Sequence, residues 1–359
     1  MLSLNSIKKT FRVVKRKKGA GAAFLSLFRR EYNEIRALEG ISFSVEKGEI
    51  AGFIGPNGAG KSTAIKIMSG ILVPDSGECT VLGMCPWKSR ARYVSRIGVV
   101  FGQRTQLWWD VPVEDSFELL KDIYRVDEKR FAENLGELSE ILELGELLPV
   151  PLRQLSLGQR MRCEIAASLL HDPEVLFLDE PTIGLDAISK LTVRRIIADL
   201  NRERKITVIL TSHDMDDIEA LTNRILLIGK GKLLYDGALG SLRSRYDRLR
   251  RLELHYQGDV KRPLGNEGQS DSTPLPEPAG TKLLSQKDNH AVYEVDTAVI
   301  GVSAALRVLG ESLDIRDMSA GSRPIEELIA SLYKEELGSR KEEDEGGMRN
   351  EEGGAKNEE

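Results

Sequence analysis

Nine residues, GPNGAGKST at positions 55–63, constrain the fold more than any other part of this sequence. The spacing from Gly55 to Gly60, Lys61 and Ser62 fits G-x-x-x-x-G-K-[ST]. In that motif bare backbone N–H groups surround phosphate oxygens, and the next helix directs its positive N-terminal dipole at them. The apolar stretch EIAGFIG precedes the motif and AIKIM follows it. A Gly-rich turn without a ligand needs neither flank, so we interpret residues 55–63 as a phosphate loop.

All nine positions of the phosphate loop are candidate ligand contacts: Gly55, Pro56, Asn57, Gly58, Ala59, Gly60, Lys61, Ser62 and Thr63.

Strand and helix patterns alternate after the phosphate loop. From LSLGQRMRCEIAASLL onward they read helix, strand EVLFLDE, helix SKLTVRRIIADLNRE, strand ITVILTS, helix DMDDIEALT and strand RILLIGKGKLLYDG. This alternation predicts a largely parallel sheet with its ligand at the carboxyl ends of the strands. Gly55, Asp179 and His213 all lie at such ends, so we expect them to lie close together.

The flanking regions predict further parts. LSLNSIKKTFRVVK has the alternation of an early strand pair, ALEGISFSVEKGEIAGFIG predicts two strands around a turn, and residues 12–35 form a basic insertion. Helical periodicity over 113–148 predicts a helical subdomain at about 104–170. We expect a first domain over 1–245, a small α+β module over 246–337, and a disordered acidic tail over 338–359.

Charge and composition narrow the partners. The net charge is −5, so we expect no nucleic acid partner, although residues 1–30 contain nine Lys or Arg and no acid. That basic end suits phospholipid headgroups or an acidic partner, and equally a solvated hairpin rim. The three cysteines include no C-x-x-C pair and suit a reducing cytoplasm. No apolar run reaches the ~20 residues that span a bilayer, so we expect membrane contact only through a partner.

Two adjacent acids end the strand in VLFLDEPT. Because side chains alternate along a strand, the pair can divide its work: Asp179 holds Mg²⁺, through water, and Glu180 polarises the attacking water. Ser62 of the phosphate loop supplies a hydroxyl that is suited to the same metal ion. Taken alone, a surface acidic turn would have the same sequence.

The segment LSLGQR, residues 155–160, carries a family resemblance. Ser156, Gly158 and Gln159 open a helix just before LDEPT, and this order resembles the ATP-binding cassette (ABC) family, whose signature usually reads L-S-G-G-Q. Leu157 stands where the family has its first signature glycine. An isolated L-S-x-G-Q also fits an ordinary N-capped helix, with Ser156 as the cap.

The resemblance covers roughly residues 1–245 and implies the fold. We expect the α/β fold of the P-loop NTPase ABC cassette: a mostly parallel sheet core, an antiparallel β subdomain and a helical subdomain, with the α+β module after it. The cofactors implied are ATP and Mg²⁺. In this family the signature of one cassette closes on the nucleotide held by another, so this chain, with one copy of each motif, needs a second copy or a sister cassette.

The same resemblance implies roles for four further residues. Gln103 matches the loop glutamine that senses Mg²⁺ and contacts the transporter, although the extra Gly102 leaves Gln106 as an alternative. His213 matches the switch histidine at the γ-phosphate, and Asp186 the loop that couples the two sites. Phe11 matches the aromatic platform for adenine.

Within the family, FGQRTQLWWD and LSLGQRMR resemble the energising subunits of viologen-exporter-like or drug-exporter-like transporters. The resemblance thus implies an ATPase subunit under a transmembrane permease at the cytoplasmic face of the membrane, and it favours an exporter. An importer cassette and a soluble ABC ATPase remain alternatives. Trp108 and Trp109 fit a patch on which the permease docks, or they pack on the helical subdomain.

Overall fold

The computed structural model describes residues 2–14, 32–102, 104–212, 214–246, 248–257, 275–322, 327–330 and 332–333. The chain divides into two compact units, residues 1–239 and 240–359, which are described separately below. The division lies at the start of the helix Leu239–Tyr246, whereas the sequence analysis placed it after residue 245.

The strands of the described residues are β1 (Leu2–Val14), β2 (Tyr32–Val45), β3 (Ile50–Ile54), β4 (Ser76–Val81), β5 (Ile97–Phe101), β6 (Val175–Asp179), β7 (Thr207–Thr211), β8 (Arg224–Gly229), β9 (Lys232–Ala238), β10 (Leu249–Gln257), β11 (Thr281–Lys287), β12 (His290–Asp296) and β13 (Asp314–Ser322).

The helices of the described residues are α1 (Lys61–Met68), α2 (Arg90–Val94), α3 (Val113–Tyr124), α4 (Glu128–Ile141), α5 (Leu157–Leu169), α6 (Ala187–Arg204), α7 (Met215–Leu221), α8 (Leu239–Tyr246) and α9 (Val302–Ser312), with a 3₁₀ turn at Leu152–Gln154.

The core of the first unit is a six-stranded sheet of order β5-β6-β7-β3-β8-β9. The first five strands pair in parallel and β9 runs antiparallel at one edge. Its inner strands are continuously apolar, as expected for parallel strands buried on both faces: β7 is buried at every residue, and β6 at all but its last. Since β3, β6 and β7 are parallel neighbours, the phosphate loop and the acidic pair lie together at the carboxyl ends of these strands, as predicted.

The stretch RILLIGKGKLLYDG is two strands, not the single strand predicted. Lys230 and Gly231 form a two-residue turn, both with positive φ (48° and 75°), and β9 folds back on β8. Positive φ at both central residues is characteristic of a type I′ hairpin turn. The apolar runs on either side of the turn concealed it in the sequence.

The second sheet of this unit is antiparallel, with order β2-β1-β4. The prediction of a strand pair within LSLNSIKKTFRVVK was wrong: residues 2–14 are one strand, which pairs with β2 as far as Val14 opposite Tyr32. Both ends of the predicted 12–35 insertion therefore belong to this hairpin, because cross-strand pairs such as Phe11 with Ile35 continue its ladder. The basic stretch at 15–31 lies outside the described residues.

The helical subdomain comprises α3, α4, the 3₁₀ turn and α5. Its buried apolar residues include Phe117, Phe131, Leu138 and Leu152. Arg162 of α5 donates to the Leu142 carbonyl, which ties the signature helix to the end of α4.

The second unit is a four-stranded antiparallel sheet of order β11-β12-β10-β13, packed against α9. Leu252, Leu254, Tyr293 and Leu309 lie in its core, and the described residues of 327–333 are helical. The polar strand β11 has little apolar alternation and was not predicted. The predicted disordered tail, 338–359, lies outside the described residues.

None of the helices described here is long and apolar enough to cross a membrane.

Candidate phosphate-binding site

The phosphate loop joins the end of β3 to the start of α1, and its glycines are required by geometry. Gly55 has φ 149°, and a Cβ there would overlap the Ile228 carbonyl oxygen. Gly60 has φ 113°, and its Cβ would lie 2.5 Å from the Ala37 carbonyl oxygen. Because L side chains rarely adopt such φ angles, only glycine allows the loop to approach the neighbouring backbone this closely.

The N-terminus of α1 directs backbone donors at the loop. Its N-cap is Gly60, and among the described residues no side chain caps it. The Lys61 ammonium donates to the carbonyl oxygens of Gly55 (2.7 Å) and Pro56 (3.2 Å). Lys61 is only 5% exposed, and this burial lowers its pKa, while the charges of Glu180 and Asp179 act in the opposite direction. Cationic and N–H donors at one helix end form an anion site.

Asp179 ends β6 beside the phosphate loop. In the parallel register it is paired with Thr211 at the end of β7, whose hydroxyl donates to Asp179 Oδ1 at 2.7 Å. The Ser62 hydroxyl donates to the same oxygen at 3.2 Å. The structure thus brings together two residues predicted to hold the metal.

Glu180 occupies a strained backbone position. Its φ is +56°, in the left-handed region, which costs a non-glycine residue about 1–3 kcal/mol. Its N–H donates to the carbonyl and the hydroxyl oxygens of Thr211, at 3.1 and 2.9 Å. On the other side Gly102 lies so close that a Cβ there would overlap the Glu180 carbonyl oxygen. The backbone of Glu180 is therefore held in this conformation by contacts on both sides.

These parts surround a cavity of about 780 Å³. It is lined by Gly55, Pro56, Asn57, Ser62, Lys66, Ile71, Phe101, Gly102, Arg104, Asp179, Glu180 and Ile183. The volume suits a ligand the size of a nucleotide. Its donors can bind phosphates, and its carboxylates and hydroxyl can bind a divalent cation and polarise water.

The signature segment lines a second, smaller cavity. Ser156 caps α5: its Oγ accepts from the Gln159 N–H (3.2 Å), and Gln159 Oε1 accepts from the Ser156 N–H (2.8 Å). Gly158 packs on α6 so closely that a Cβ would overlap the Ser189 hydroxyl. Ser156, Gly158 and Gln159 line a cavity of about 210 Å³, which shares no lining residue with the larger one.

Asp186 is the N-cap of α6. Its carboxylate accepts from the Ser189 N–H (2.9 Å) and hydroxyl (2.8 Å), and these hydrogen bonds lower its pKa. Ser189 thus links Asp186 to the signature segment of the same chain, because it bonds Asp186 and packs against Gly158.

The other predicted residues have different outcomes. Gln103 and His213 lie outside the described residues. Gln106, the alternative to Gln103, is not among the residues that line the large cavity, and its side-chain amide donates to the Glu164 carbonyl at 3.2 Å. Phe11 lies on β1 under the Lys9 ammonium (5.9 Å to the ring centre) and is not among the residues that line the large cavity.

Thr211 and the reason for Gly102 were not predicted from the sequence. Thr211 immediately precedes SHD at the end of a strand, a position that could have suggested it. Gly102 was taken as an extra residue that blurs the register, whereas it gives β5 room beside the backbone of Glu180.

Comparison with known proteins gives a family. The ABC transporter family model matches residues 38–183. The ABC transporter ATP-binding protein NatA of Bacillus subtilis (strain 168) is 33% identical over 64% of this chain and 92% of its own length. The daunorubicin/doxorubicin resistance ATP-binding protein DrrA of Streptomyces peucetius is 30% identical over 84% of this chain and 89% of its own.

A solved structure shares the fold. The ATP-binding cassette MJ0796, in a dimeric post-hydrolysis state bound to ADP and Pi, matches with a TM-score of 0.55 at 25% identity, over 67% of this chain and 99% of that one. The predicted family and fold class are confirmed. This chain belongs to the ABC transporter family, as an ATP-binding subunit that hydrolyses ATP.

Proposed function

We propose that two such cassettes enclose ATP between the phosphate loop of one and the signature segment of the other, and that this closure drives a separate membrane permease. The observation that carries the proposal is the separation of the two cavities within one chain. Ser156 and Gly158 do not line the cavity beside the phosphate loop. In this proposal a second cassette supplies these two residues to the nucleotide. The relative MJ0796 is itself dimeric.

The residues at the acidic pair fit a magnesium site. Ser62 Oγ and Asp179 Oδ1 are hard oxygen donors that converge beside the phosphate loop. The described residues contain no group of three or more His, Cys, Asp or Glu that could hold a metal. This suits Mg²⁺, which takes few protein ligands and completes its shell with water and phosphate oxygens. When bound, the ion offsets the negative charge that develops on the phosphate oxygens.

Glu180 is the proposed general base. Its fixed backbone presents the carboxylate at the cavity that also contains Ser62 and Asp179, where it accepts a proton from the water that attacks the γ-phosphate. A general base typically contributes 10²–10⁴-fold. Glu180→Gln should therefore bind ATP normally, lose about that much of kcat, and accumulate as an ATP-bound dimer. The measurements are nucleotide affinity, kcat and size-exclusion chromatography with ATP; normal turnover would remove Glu180 from this role.

A mixing experiment tests the exchange between cassettes. Lys61→Ala removes the phosphate-loop ammonium, and Ser156→Asp places a negative charge at the signature while keeping a good N-cap. Each variant alone should be inactive, since both sites of its dimer are damaged. The mixture contains dimers with one intact pair, Lys61 of one chain and Ser156 of the other.

The mixture should therefore hydrolyse ATP faster than either variant alone. Ser156→Asn is the matched control, because asparagine caps equally well without the charge, and it should keep substantial activity. If mixing restores nothing although heterodimers form, the signature does not act across the dimer.

Trp108 and Trp109 form the proposed docking patch for the permease. The two tryptophans are 41% and 46% exposed, and the Arg160 guanidinium lies 4.6 Å from the centre of the Trp109 ring. Rigid aromatic side chains anchor interfaces at low entropic cost. This patch connects directly to the signature helix, because Arg160 is in the first turn of α5.

Replacing both tryptophans with Ala should abolish transport by the assembled transporter and leave most of the ATPase activity of the isolated protein. Trp87→Ala is a control at a tryptophan that packs on the main core instead. Loss of folding of the double variant, or undiminished transport, would contradict docking.

The proposed direction of transport is export, at the cytoplasmic face of the membrane. Support comes from DrrA, a relative named for drug resistance. The experiment is to purify the protein with its co-purifying membrane subunit and to reconstitute both in vesicles. Cargo accumulation should occur on the side opposite the cassettes, and accumulation on the same side would indicate import.

A further inference from the structure

A buried carboxylate outside the 780 Å³ cavity connects the segments that follow β6 and β7. Asp217, on α7, is 0% exposed and is not among the residues that line the ATP cavity. It accepts hydrogen bonds from the Thr182 hydroxyl, from the Ser212 hydroxyl (2.9 Å) and from Arg194 Nε (2.5 Å). A fully buried charge with three directed donors is a costly arrangement that one missing partner would make unfavourable.

The donors come from the segments that carry the chemistry. Thr182 is two residues after Glu180, in the turn that follows β6. Ser212 directly follows Thr211, which bonds both Asp179 and the Glu180 N–H. Asp217 therefore connects the turn after β6 to the segment after β7, and both segments adjoin the acidic pair. The neutralising charge comes from Arg194 on α6.

Neighbouring acids do not share this position. Asp214 caps α7 and pairs with Lys190 (2.5 Å) and, at 3.6 Å, with Arg194. Asp216 is exposed. Of the three acids in DMDD, only Asp217 bonds both loops.

We propose that Asp217 is a positioning residue for ATP hydrolysis, whose carboxylate ties the turn after Glu180 to the end of β7 and so aims the Glu180 carboxylate at the nucleotide. The inference rests on the role proposed above for Glu180. Asparagine cannot replace Asp217: its amide group would present N–H donors where a hydroxyl or guanidinium already donates, and it carries no charge to pair with Arg194.

Asp217→Asn should lower kcat about 10–100-fold, the scale of a 1 Å misplacement of a reacting group, with ATP affinity unchanged. Asp216→Asn, the same charge change one residue away on the exposed side of α7, should leave kcat unchanged. Thr182→Val removes one donor and keeps the volume, so it should lower kcat in the same direction while Asp217 stays paired. It also serves as the test if Asp217→Asn does not fold.

A purely structural role would give a different result in the Glu180→Gln background. If Asp217 acts through Glu180, adding Asp217→Asn or Thr182→Val there should change the residual kcat by less than about twofold, because the aim of an absent base no longer matters. A further loss equal to that in the wild-type background would overturn the proposal, as would wild-type kcat in both Asp217→Asn and Thr182→Val. Failure of the Glu180 assignment is distinguishable, because Glu180→Gln alone would then turn over normally.

Discussion

Helices α1 and α5, which begin at the phosphate loop and at the signature segment, have different N-termini. Helix α1, after the phosphate loop, starts at Gly60 in a left-handed conformation with no capping side chain among the described residues. Helix α5, at the signature, starts at Ser156 in an extended conformation with a complete capping box to Gln159. One N-terminus keeps its donors for a ligand, and the other satisfies part of its own.

The difference suits the proposal that the phosphate loop binds the nucleotide first and that the signature segment of another cassette then closes on it. The donors of α1 are joined by the Lys61 ammonium and by a glycine loop, so this end has the groups to bind phosphate on its own. At α5 the Gln159 N–H is already bonded to Ser156 Oγ, and the hydroxyl, which still carries one hydrogen to donate, offers a smaller contact. A signature of this kind suits closure on phosphate that is already bound elsewhere.

The largest expected effect is at the uncapped end. In Gly60→Ala the backbone would have to hold an L residue at φ 113°, which costs about 1–2 kcal/mol. The new Cβ would also lie 2.5 Å from the Ala37 carbonyl oxygen, which adds about 1–3 kcal/mol of overlap. We expect lost ATP binding, measured by nucleotide titration, and clear destabilisation, measured by urea unfolding.

Gly58→Ala is the matched control for this prediction. Gly58 also has positive φ (79°), but a Cβ there meets nothing within 4 Å. It should carry only the backbone cost and should retain measurable ATP binding. Equal damage in both variants would show that backbone conformation, and not close approach, makes Gly60 necessary.

The next effect is at the capped end. Ser156→Ala removes the side-chain acceptor for the Gln159 N–H and should destabilise the protein by about 1 kcal/mol. Asp127→Ala is the control, because Asp127 caps α4 by accepting from Lys129 and Arg130 N–H groups. Both variants should lose similar stability, but only Ser156→Ala should lower dimer-dependent ATPase activity. Equal ATPase activity in the two would reduce Ser156 to an ordinary cap.

Sequence alone predicted the parts of the site that are local. The phosphate loop is recognisable because its glycines, Lys61 and Ser62 all lie within nine residues, although the backbone that Gly55 and Gly60 approach belongs to Ile228 and Ala37. Ser156 was identified as a possible N-cap of the helix that follows it, and the structure adds Gln159 as its partner in a capping box. The acidic pair ends a single apolar strand. The proximity of Gly55 and Asp179 followed from a rule about parallel strands, and the structure brings their loops into one cavity.

The contacts that join distant segments could not be predicted in this way. Thr182, Arg194 and Ser212 meet Asp217 across separations of 35, 23 and 5 residues. The sequence shows only a run of acids on a short helix, and nothing local distinguishes the buried one. The strand order of the central sheet and the polar edge strand β11 depend in the same way on packing that a hydrophobic pattern does not specify.

The two helices also differ in the sign of the charge that they bury. Lys61 opens α1 at 5% exposure, and Glu164 lies in the middle of α5 at 6%. The Glu164 carboxylate accepts from the Thr105 hydroxyl and from the Gln106 N–H (3.3 Å), so it holds the segment after β5 against the signature helix. Burial raises the pKa of Glu164, and these hydrogen bonds offset part of that shift.

The smallest expected effect follows from this raised pKa and is a change with pH. The folded state binds the Glu164 proton more tightly than the unfolded chain does, so its contribution to stability is complete below the ordinary carboxyl pKa of about 4.3 and is lost as pH rises through the raised value. Glu164→Gln cannot titrate, so the free energy of unfolding of the wild type, relative to this variant, should fall from pH 4 to pH 8 in urea titrations. If the curves of wild type and Glu164→Gln stay parallel between pH 4 and pH 8, the anion on α5 is as well stabilised as it would be in water.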